Sequence, residues 1–226
     1  MDMENADIRE SPEPEAVTYL NEENIARSGQ GVEWHPLKPF LPKEGVILFL
    51  GSFPPARNRW SMDFYYPNFI NDHWRIEGKV FHGEKQYFVD EAKKKFDIGR
   101  IINHCETRGI GFYDTATAIR RQRGNASDKF LEVVEATDIR TLVATMPKLR
   151  AIVVTGEKAC ETVSATLGVG ERPGVGRWVE ITGLKNGDGR QIELYRLPSS
   201  SRAYPLAFEK KAETYAEMFR RYGLLR

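Results

Sequence analysis

The chain has 226 residues, which is enough for one sizeable hydrophobic core and too few for two. Hydrophobic residues make up 41% of the chain and charged residues 29%, the balance of a globular protein. No apolar run reaches the length needed to cross a bilayer, and residues 1–16 lack the basic start and apolar stretch of a signal peptide. We therefore expect a cytoplasmic monomer with no membrane partner.

The charge is unevenly distributed along the chain. Residues 1–26 contain eight acidic side chains and one basic side chain, a net charge of −7, so the remaining residues carry +8. We predict an acidic, flexible arm over residues 1–30 and one folded domain over residues 31–226. A basic body favours a polyanionic partner such as DNA, although a charge difference of this size also occurs on ordinary protein surfaces.

Short apolar runs alternate with amphipathic stretches from residue 46 onward. Runs bounded by Gly or Pro predict strands, and apolar residues spaced three and four apart predict helices. The predicted strands are residues 46–50, 110–114, 151–155, 178–182 and 191–197. The predicted helices are residues 15–25, 86–96, 98–108, 137–146, 157–167 and a last helix that begins near Pro205. Residues 52–81 show no clear period and predict a long ordered loop with short helical pieces.

This alternation predicts an α/β fold in three layers, α/β/α, with a mainly parallel central sheet. Residues 46–50 are apolar at every position, as in a strand that is covered on both faces. In such sheets ligands bind beyond the carboxyl ends of the strands. Three segments follow such ends, and we expect them to form one site: Gly51-Ser-Phe-Pro-Pro55, Thr155-Gly156 and Leu197-Pro-Ser-Ser-Ser201.

Several kinds of chemistry lack their motifs in this chain. There is no Gly-Lys-Ser/Thr phosphate loop and no Gly-x-Ser-x-Gly elbow of a hydrolase. Cys105 and Cys160 are far apart in the sequence and are expected to be reduced core residues. The four histidines lack close metal-ligand spacing and are expected to be structural or exposed. We therefore expect no metal and no other cofactor.

Two of these segments, and a third stretch in the long loop, each have a functional and a structural interpretation. Phe53, at a strand end, suits stacking on a planar base, but a tight turn with a core Phe explains it equally well. The aromatic and polar run from Tyr65 to Trp74 is expensive to bury unless it forms a site, the alternative being an apolar cluster that caps the sheet. The hydroxyls of Ser199, Ser200 and Ser201 suit phosphate oxygens or helix caps.

Together, these segments resemble the uracil-DNA glycosylase superfamily, and most of all its hypoxanthine-DNA glycosylase branch. That branch carries Gly-Ser-Phe/Met-Pro-Gly after a strand, then Tyr-Tyr-x-x-Pro-x-Asn-x-Phe-Trp, and later Leu-Pro-Ser-Thr-Ser-Pro-Ala. The matching segments here are Gly51-Ser-Phe-Pro-Pro55, Tyr65-Tyr66 followed by Asn71 and Trp74, and Leu197-Pro-Ser-Ser-Ser-Arg-Ala203. They occur in the same order as in the branch.

The resemblance implies a monofunctional DNA glycosylase of base-excision repair, which hydrolyses the N-glycosidic bond of hypoxanthine, uracil or xanthine in an extruded nucleotide. It implies that Asn71 is catalytic, with Asp72 as a rival and Asp114 as a third polar candidate. The implied base-binding residues are Gly51, Ser52, Phe53, Tyr66, Trp74 and Thr155. The implied DNA-binding residues are Ser199, Ser200, Ser201 and Arg202. Thr155 stands where the superfamily often has Asn, which moves the expected substrate away from plain uracil.

Two other functions remain open on the sequence alone. One is a non-catalytic module that binds nucleic acid or a nucleotide on the same scaffold. The other is a small-molecule hydrolase on an unrelated α/β sheet. A glycosylase releases a base from DNA, whereas a non-catalytic module binds DNA in a salt-sensitive way without releasing a base. A small-molecule hydrolase has no affinity for DNA.

Overall fold

The computed structural model describes residues 18–29, 31–121 and 131–226. The strands are β1 (Glu33–Trp34), β2 (Ile47–Gly51), β3 (Val89–Asp90), β4 (Lys95–Phe96), β5 (Ile110–Asp114), β6 (Ala116–Arg121), β7 (Leu131–Ala136), β8 (Ala151–Val154), β9 (Arg177–Lys185) and β10 (Gln191–Arg196). The helices are α1 (Glu22–Arg27), α2 (His73–His82), α3 (Ile98–Arg108), α4 (Ile139–Ala144), α5 (Glu157–Leu167) and α6 (Phe208–Arg221). In the ranges described, no helix combines the length and the apolar character that crossing a bilayer requires.

The central sheet has five strands in the order β5-β2-β8-β10-β9. The first four run parallel, and β9 pairs antiparallel with β10. Every residue of β5 and β8 is buried, and β8 is apolar at every position, as in a strand covered on both faces. The prediction of a mainly parallel central sheet is therefore confirmed, with one antiparallel edge strand added.

The register of the central strands brings their carboxyl ends level. Leu50 of β2 lies opposite Tyr113 on one side and Val154 on the other, and Gly51 lies opposite Asp114. The residues that follow these positions must therefore emerge at one edge of the sheet. This edge holds Gly51, Asp114 and Thr155, as the sequence predicts for strand ends.

Two regular elements differ from the sequence predictions. The helix predicted over residues 86–96 is wrong: a hairpin of β3 and β4 occupies this segment. Phe88 and Phe96 are buried as a helical face requires, but they lie side by side at the open end of the hairpin, where Val89 is opposite Phe96. The irregular segment predicted over residues 52–81 contains a ten-residue helix, α2, which ends at Gly83 in the left-handed conformation.

A second sheet, of three antiparallel strands in the order β1-β6-β7, was not predicted from the sequence. It begins where the chain leaves the central sheet, since only Thr115 separates β5 from β6. Ala116, Ile119 and Leu131 form a small apolar cluster on it. This second sheet therefore forms a wall beside the carboxyl end of β5.

Residues 18–29 contact the rest of the described chain. Tyr19 packs edge-on against Phe40 and Phe64 of the core, at centroid distances of 5.4 and 5.2 Å. Residues 22–27 form α1, and the buried Asn24 donates a hydrogen bond to the carbonyl of His35. Residues 18–29 thus pack against the core, while residues 1–17 of the arm predicted over residues 1–30 lie outside the described residues.

A fully buried carboxyl group joins helices α2 and α3. Glu77 Oε2 lies 2.9 Å from His104 Nε2, and Glu77 Oε1 lies 3.0 Å from His73 Nε2, although the His73 contact is poorly aligned. Burial alone raises the pKa of Glu77, but the hydrogen bonds from His104 and His73 outweigh it and bring the pKa to about 2. The buried network thus requires an ionised Glu77.

Replacing Glu77 tests this network. Because the pKa of Glu77 is lower in the folded protein than in the unfolded chain, its contribution is present above about pH 4.5 and is lost as the pH falls through 2. We expect Glu77→Gln to lower the free energy of unfolding at pH 7 by about 3 kcal/mol. The difference in the free energy of unfolding between wild type and Glu77→Gln should become smaller as the pH falls from 4.5 to 2, as measured by denaturant titrations. Glu180→Gln, at an exposed position on β9, is the control, and an equal effect of the two substitutions would contradict the account.

Candidate active site

A cavity of about 460 Å³ opens at the carboxyl edge of the central sheet, within the range of small-molecule pockets. It lies beyond the ends of β2, β5 and β8, where parallel sheets bind their ligands. Of the sequence-predicted site residues, nine line it: Gly51, Ser52, Phe53, Tyr66, Asn71, Thr155, Ser199, Ser200 and Ser201. Four segments far apart in the sequence therefore meet at one cavity.

Asp114 also lines the cavity and is held there by a buried histidine. Its Oδ2 lies 2.9 Å from Nε2 of His35, a residue with no solvent exposure. Its other oxygen, Oδ1, lies so close to Gly51 that a Cβ on that glycine would come within 2.3 Å of it. Gly51 is therefore needed because a side chain would displace the carboxyl group of Asp114.

Two buried tyrosines flank Asp114. Burial raises the pKa of Tyr113 to about 12, and the nearby Asp114 adds to the shift. Burial likewise raises the pKa of Tyr65 well above its usual value, again with a contribution from Asp114. Both phenols stay protonated at neutral pH, so they can donate hydrogen bonds but cannot act as bases.

Asn71 faces the cavity from the residues just before α2. Its Oδ1 accepts a hydrogen bond of 2.9 Å from the backbone N–H of His73 and so caps the first turn of the helix. The carbonyl oxygen of the side chain is thus used for structure, and the Nδ2 group is the part that can donate to a ligand. The helix cap fixes the direction in which this donor points.

Tyr66 is held in an unusual backbone conformation, with φ at +50°. Its ring stacks on the buried His73 at a centroid distance of 3.7 Å, and its hydroxyl lies 3.2 Å from Thr155 Oγ1. Residues other than Gly occupy this region rarely, and such strain concentrates at functional sites. Tyr66 therefore links the cavity wall to the Glu77 network beneath it.

Phe53 is half-buried on another wall of the cavity. Its ring meets His35 edge-on at 5.2 Å and packs against the small cluster of Ala116, Ile119 and Leu131. The three-stranded sheet thus supports the ring from behind while the cavity side remains open to a ligand.

The hydroxyls of the Ser199–Ser201 loop bond to the backbone of the loop itself. The hydroxyls of Ser199 and Ser201 accept hydrogen bonds from the backbone N–H groups of Ser201 and Ala203. These hydroxyls therefore organise the loop itself and do not cap α6, which begins only at Phe208. The nearly buried Lys211 donates a 2.6 Å hydrogen bond to the carbonyl of Ser201 and places a cation directly beneath the loop.

Three of the predicted site residues do not line the cavity. Trp74, predicted to bind the base, is fully buried and donates its indole N–H to the carbonyl of Tyr65, so it belongs to the core. Asp72, predicted as a catalytic rival, accepts a 2.9 Å hydrogen bond from Arg202 Nε. Arg202 is half-exposed in this ion pair. Asp72 and Arg202 thus join the start of α2 to the serine loop.

His35 is the residue that the sequence interpretation underestimated. It lies 79 positions from Asp114, and no motif surrounds it. Its backbone N–H bonds to the carbonyl of Thr117, so the pairing of β1 with β6 brings it under the cavity. The role of His35 could have been predicted only if the pairing of β1 with β6 had been known. Across the three ranges described, no cluster of His, Cys, Asp or Glu is arranged to hold a metal ion.

One solved structure relates this fold and cavity to known proteins. It is a solution structure from Methanosarcina acetivorans described as a "putative Uracil DNA glycosylase", with 26% sequence identity to this chain and a TM-score of 0.54. The alignment covers 82% of this chain and 97% of that one. No protein-family model and no curated protein matches this chain. The similarity supports the uracil-DNA glycosylase superfamily and does not distinguish its branches.

The contact between Gly51 and Asp114 gives a direct test of the site geometry. We expect Gly51→Ala to push Asp114 away from His35 and to lower the free energy of unfolding by about 1–3 kcal/mol, because the added methyl group has no space. A crystal structure and denaturant titrations measure the two effects. Gly170→Ala is the control, since a Cβ there meets open space. An unmoved Asp114 in the Gly51→Ala protein would contradict the account.

Proposed function

We propose that this protein is a DNA glycosylase that removes a deaminated base by hydrolysing its N-glycosidic bond. The observation that carries the proposal is the cavity at the strand ends, where an amide donor from Asn71 and a carboxyl group from Asp114 line the same space. The similarity to a chain described as a putative uracil DNA glycosylase supports it. Within the superfamily we assign the hypoxanthine-DNA glycosylase branch, on the three sequence motifs.

A base inside a duplex cannot reach this cavity, so the target nucleotide must leave the stack. Phe53 offers the aromatic face on which the extruded base stacks, and stacking on an aromatic side chain contributes about 1–3 kcal/mol per base. The backbone at Gly51 and Ser52 and the hydroxyl of Thr155 supply hydrogen bonds to the base edge. A hydroxyl both donates and accepts, so Thr155 suits the mixed edges of hypoxanthine, uracil and xanthine.

Hydrolysis breaks the bond between the sugar C1′ and the base nitrogen, and the bonding electrons leave with the base. The sugar becomes a cation in the transition state, water then adds to C1′, and the proton that the water loses neutralises the departed base anion. Asn71 is a neutral amide and cannot act as a strong base, so its Nδ2 group donates to the departing base. Asp114 supplies the carboxylate that stabilises the cationic sugar and orients the water, with His35 holding it in place.

The serine loop provides the contacts to the DNA backbone in this proposal. Ser199, Ser200 and Ser201 line the cavity, and the cation of Lys211 lies beneath them. Hydroxyls, backbone amides and a nearby cation are the groups that proteins use to position phosphates. Arg59, which also lines the cavity, adds exposed positive charge, while Arg202 is paired with Asp72.

A panel of duplex oligonucleotides tests the function. Each carries one uracil, hypoxanthine, xanthine or undamaged base, and the product is scored as an abasic site and as free base. We expect release of a deaminated base and none from the undamaged duplex. Salt-sensitive binding of every duplex without release would favour the non-catalytic module, and absence of binding would reject both.

Two substitutions test the assigned catalytic groups. Asn71→Ser keeps an oxygen that can cap α2 but removes the amide donor, and Asp114→Asn keeps the shape but removes the charge. We expect each to lower the single-turnover rate of base release by roughly 100-fold or more. Asn103→Ser and Asp188→Asn, at exposed positions away from the cavity, are the matched controls. Rates within a factor of about three of wild type for either cavity variant would exclude that residue from catalysis.

A further inference from the structure

The turn that carries Phe53 is held on both sides by the chain that follows β5. The carbonyl of Gly51 accepts a 2.8 Å hydrogen bond from the backbone N–H of Thr115. The carbonyl of Pro54 accepts a 3.0 Å hydrogen bond from Nη2 of Arg121, the last residue of β6. Phe53 therefore lies between one carbonyl that is held by the backbone and one that is held by a side chain.

The guanidinium group of Arg121 is itself fixed by a carboxylate. The side chain of Arg121 is 7% exposed, and its Nε and Nη2 donate to the two carboxylate oxygens of Glu33, both at 3.0 Å. Nη2 carries two hydrogens, so it can donate to Glu33 and to the carbonyl of Pro54 together. A bidentate pair fixes the plane of the guanidinium group, and with it the direction of the hydrogen that Pro54 accepts.

The second sheet places Arg121 beside the ring of Phe53. Glu33 of β1 lies opposite Ile119 of β6, and Arg121 follows Ile119 by two positions, which puts both on one face of the strand. Phe53 packs against the cluster that contains Ile119, and the guanidinium carbon of Arg121 lies 6.0 Å from the centre of the Phe53 ring. The same sheet thus supplies an apolar support for the ring and a donor that holds its backbone.

We propose that Arg121 is a positioning residue for base binding, because its bond to the Pro54 carbonyl sets where Phe53 presents its ring to the cavity. The inference rests on the proposed function, since the ligand that stacks on the ring is the extruded base. Aromatic stacking depends on the distance and tilt between the two rings. Without Arg121 the carbonyl of Pro54 loses its donor, and the turn shifts to satisfy it in another way. The ring of Phe53 then moves with the turn.

The first test compares Arg121→Met with Arg120→Met, which removes the same charge from the adjacent, half-exposed position. Binding of the full chain is measured to a duplex with one 2′-fluoro deoxyinosine, whose base is not released, and to the same duplex without a damaged base. We expect Arg121→Met to lower the preference for the inosine duplex by roughly 5- to 20-fold, because only a stacked base senses the ring. Arg120→Met should keep the wild-type preference, and the two variants should bind the undamaged duplex equally.

An exchanged pair separates the bond to Pro54 from the ion pair. In Glu33→Arg/Arg121→Glu the charges are reversed, so β1 and β6 regain an ion pair, but a carboxylate at position 121 cannot donate to a carbonyl. We expect the free energy of unfolding to recover relative to Arg121→Glu alone, while the preference for the inosine duplex stays lost. Recovery of the preference in the exchanged pair would overturn the proposal, because the ion pair alone would then be sufficient.

Crystal structures of the free Arg121→Met and Arg121→Lys proteins measure the ring without DNA. Arg121→Lys keeps a positive charge opposite Glu33 for folding but lacks the planar fork, so we expect Phe53 to be displaced in both variants. A Phe53 ring in its wild-type place, or equal losses of affinity for both duplexes, would overturn the proposal. A wild-type protein that prefers the inosine duplex but releases no base would retain the role of Arg121 and reject the glycosylase. Equal binding of the two duplexes by wild type would reject both.

Discussion

The site depends on the register of three parallel strands. Because β2 lies between β5 and β8 with Leu50 level with Tyr113 and Val154, the residues that follow all emerge at one edge. A shift of one residue in any of them would turn its last side chain to the other face of the sheet. The close contact of Gly51 with the carboxyl group of Asp114 follows from this register.

The parts of the site share their supports, so binding groups and structural groups are difficult to separate. Asn71 presents an amide to the cavity and also caps α2, and Tyr66 forms a wall while stacking on a histidine of the buried Glu77 network. Asp72, which the sequence offered as an alternative to Asn71 in catalysis, links the start of α2 to the serine loop. Residues that hold the site in place are therefore neighbours in the sequence of the candidate catalytic residues, and they have similar polar side chains.

Local patterns predicted the regular core well. The strands over residues 110–114 and 151–154 and the helix over residues 157–167 lie where apolar runs and flanking glycines indicated, because their signals depend on burial alone. Three of the four segments that meet at the cavity also followed from the strand ends, and the fourth, with Tyr66 and Asn71, lies in the predicted long loop. The hairpin over residues 89–96 could not be predicted, because two phenylalanines eight positions apart fit one face of a helix as well as they fit two short strands.

The features that were not predicted from the sequence depend on contacts between residues far apart in the chain. His35 reaches Asp114 only through the antiparallel pairing of β1 with β6, and neither short strand has a distinctive pattern. Trp74 has the composition of a binding residue, but its position within α2 turns it into the core. Residue type alone does not tell a stacking aromatic from a packing one, since both are large, flat and apolar.

In the proposed function, the cavity receives an extruded base. A crystal structure with a duplex whose target nucleotide is a 2′-fluoro deoxyinosine tests this most directly, because the fluorine disfavours the cationic sugar and keeps the bond intact. The account predicts that the base lies in the cavity, stacked on Phe53, with its glycosidic bond between Asn71 and Asp114. A target base that remains stacked in the duplex, or that binds elsewhere on the protein, would contradict it.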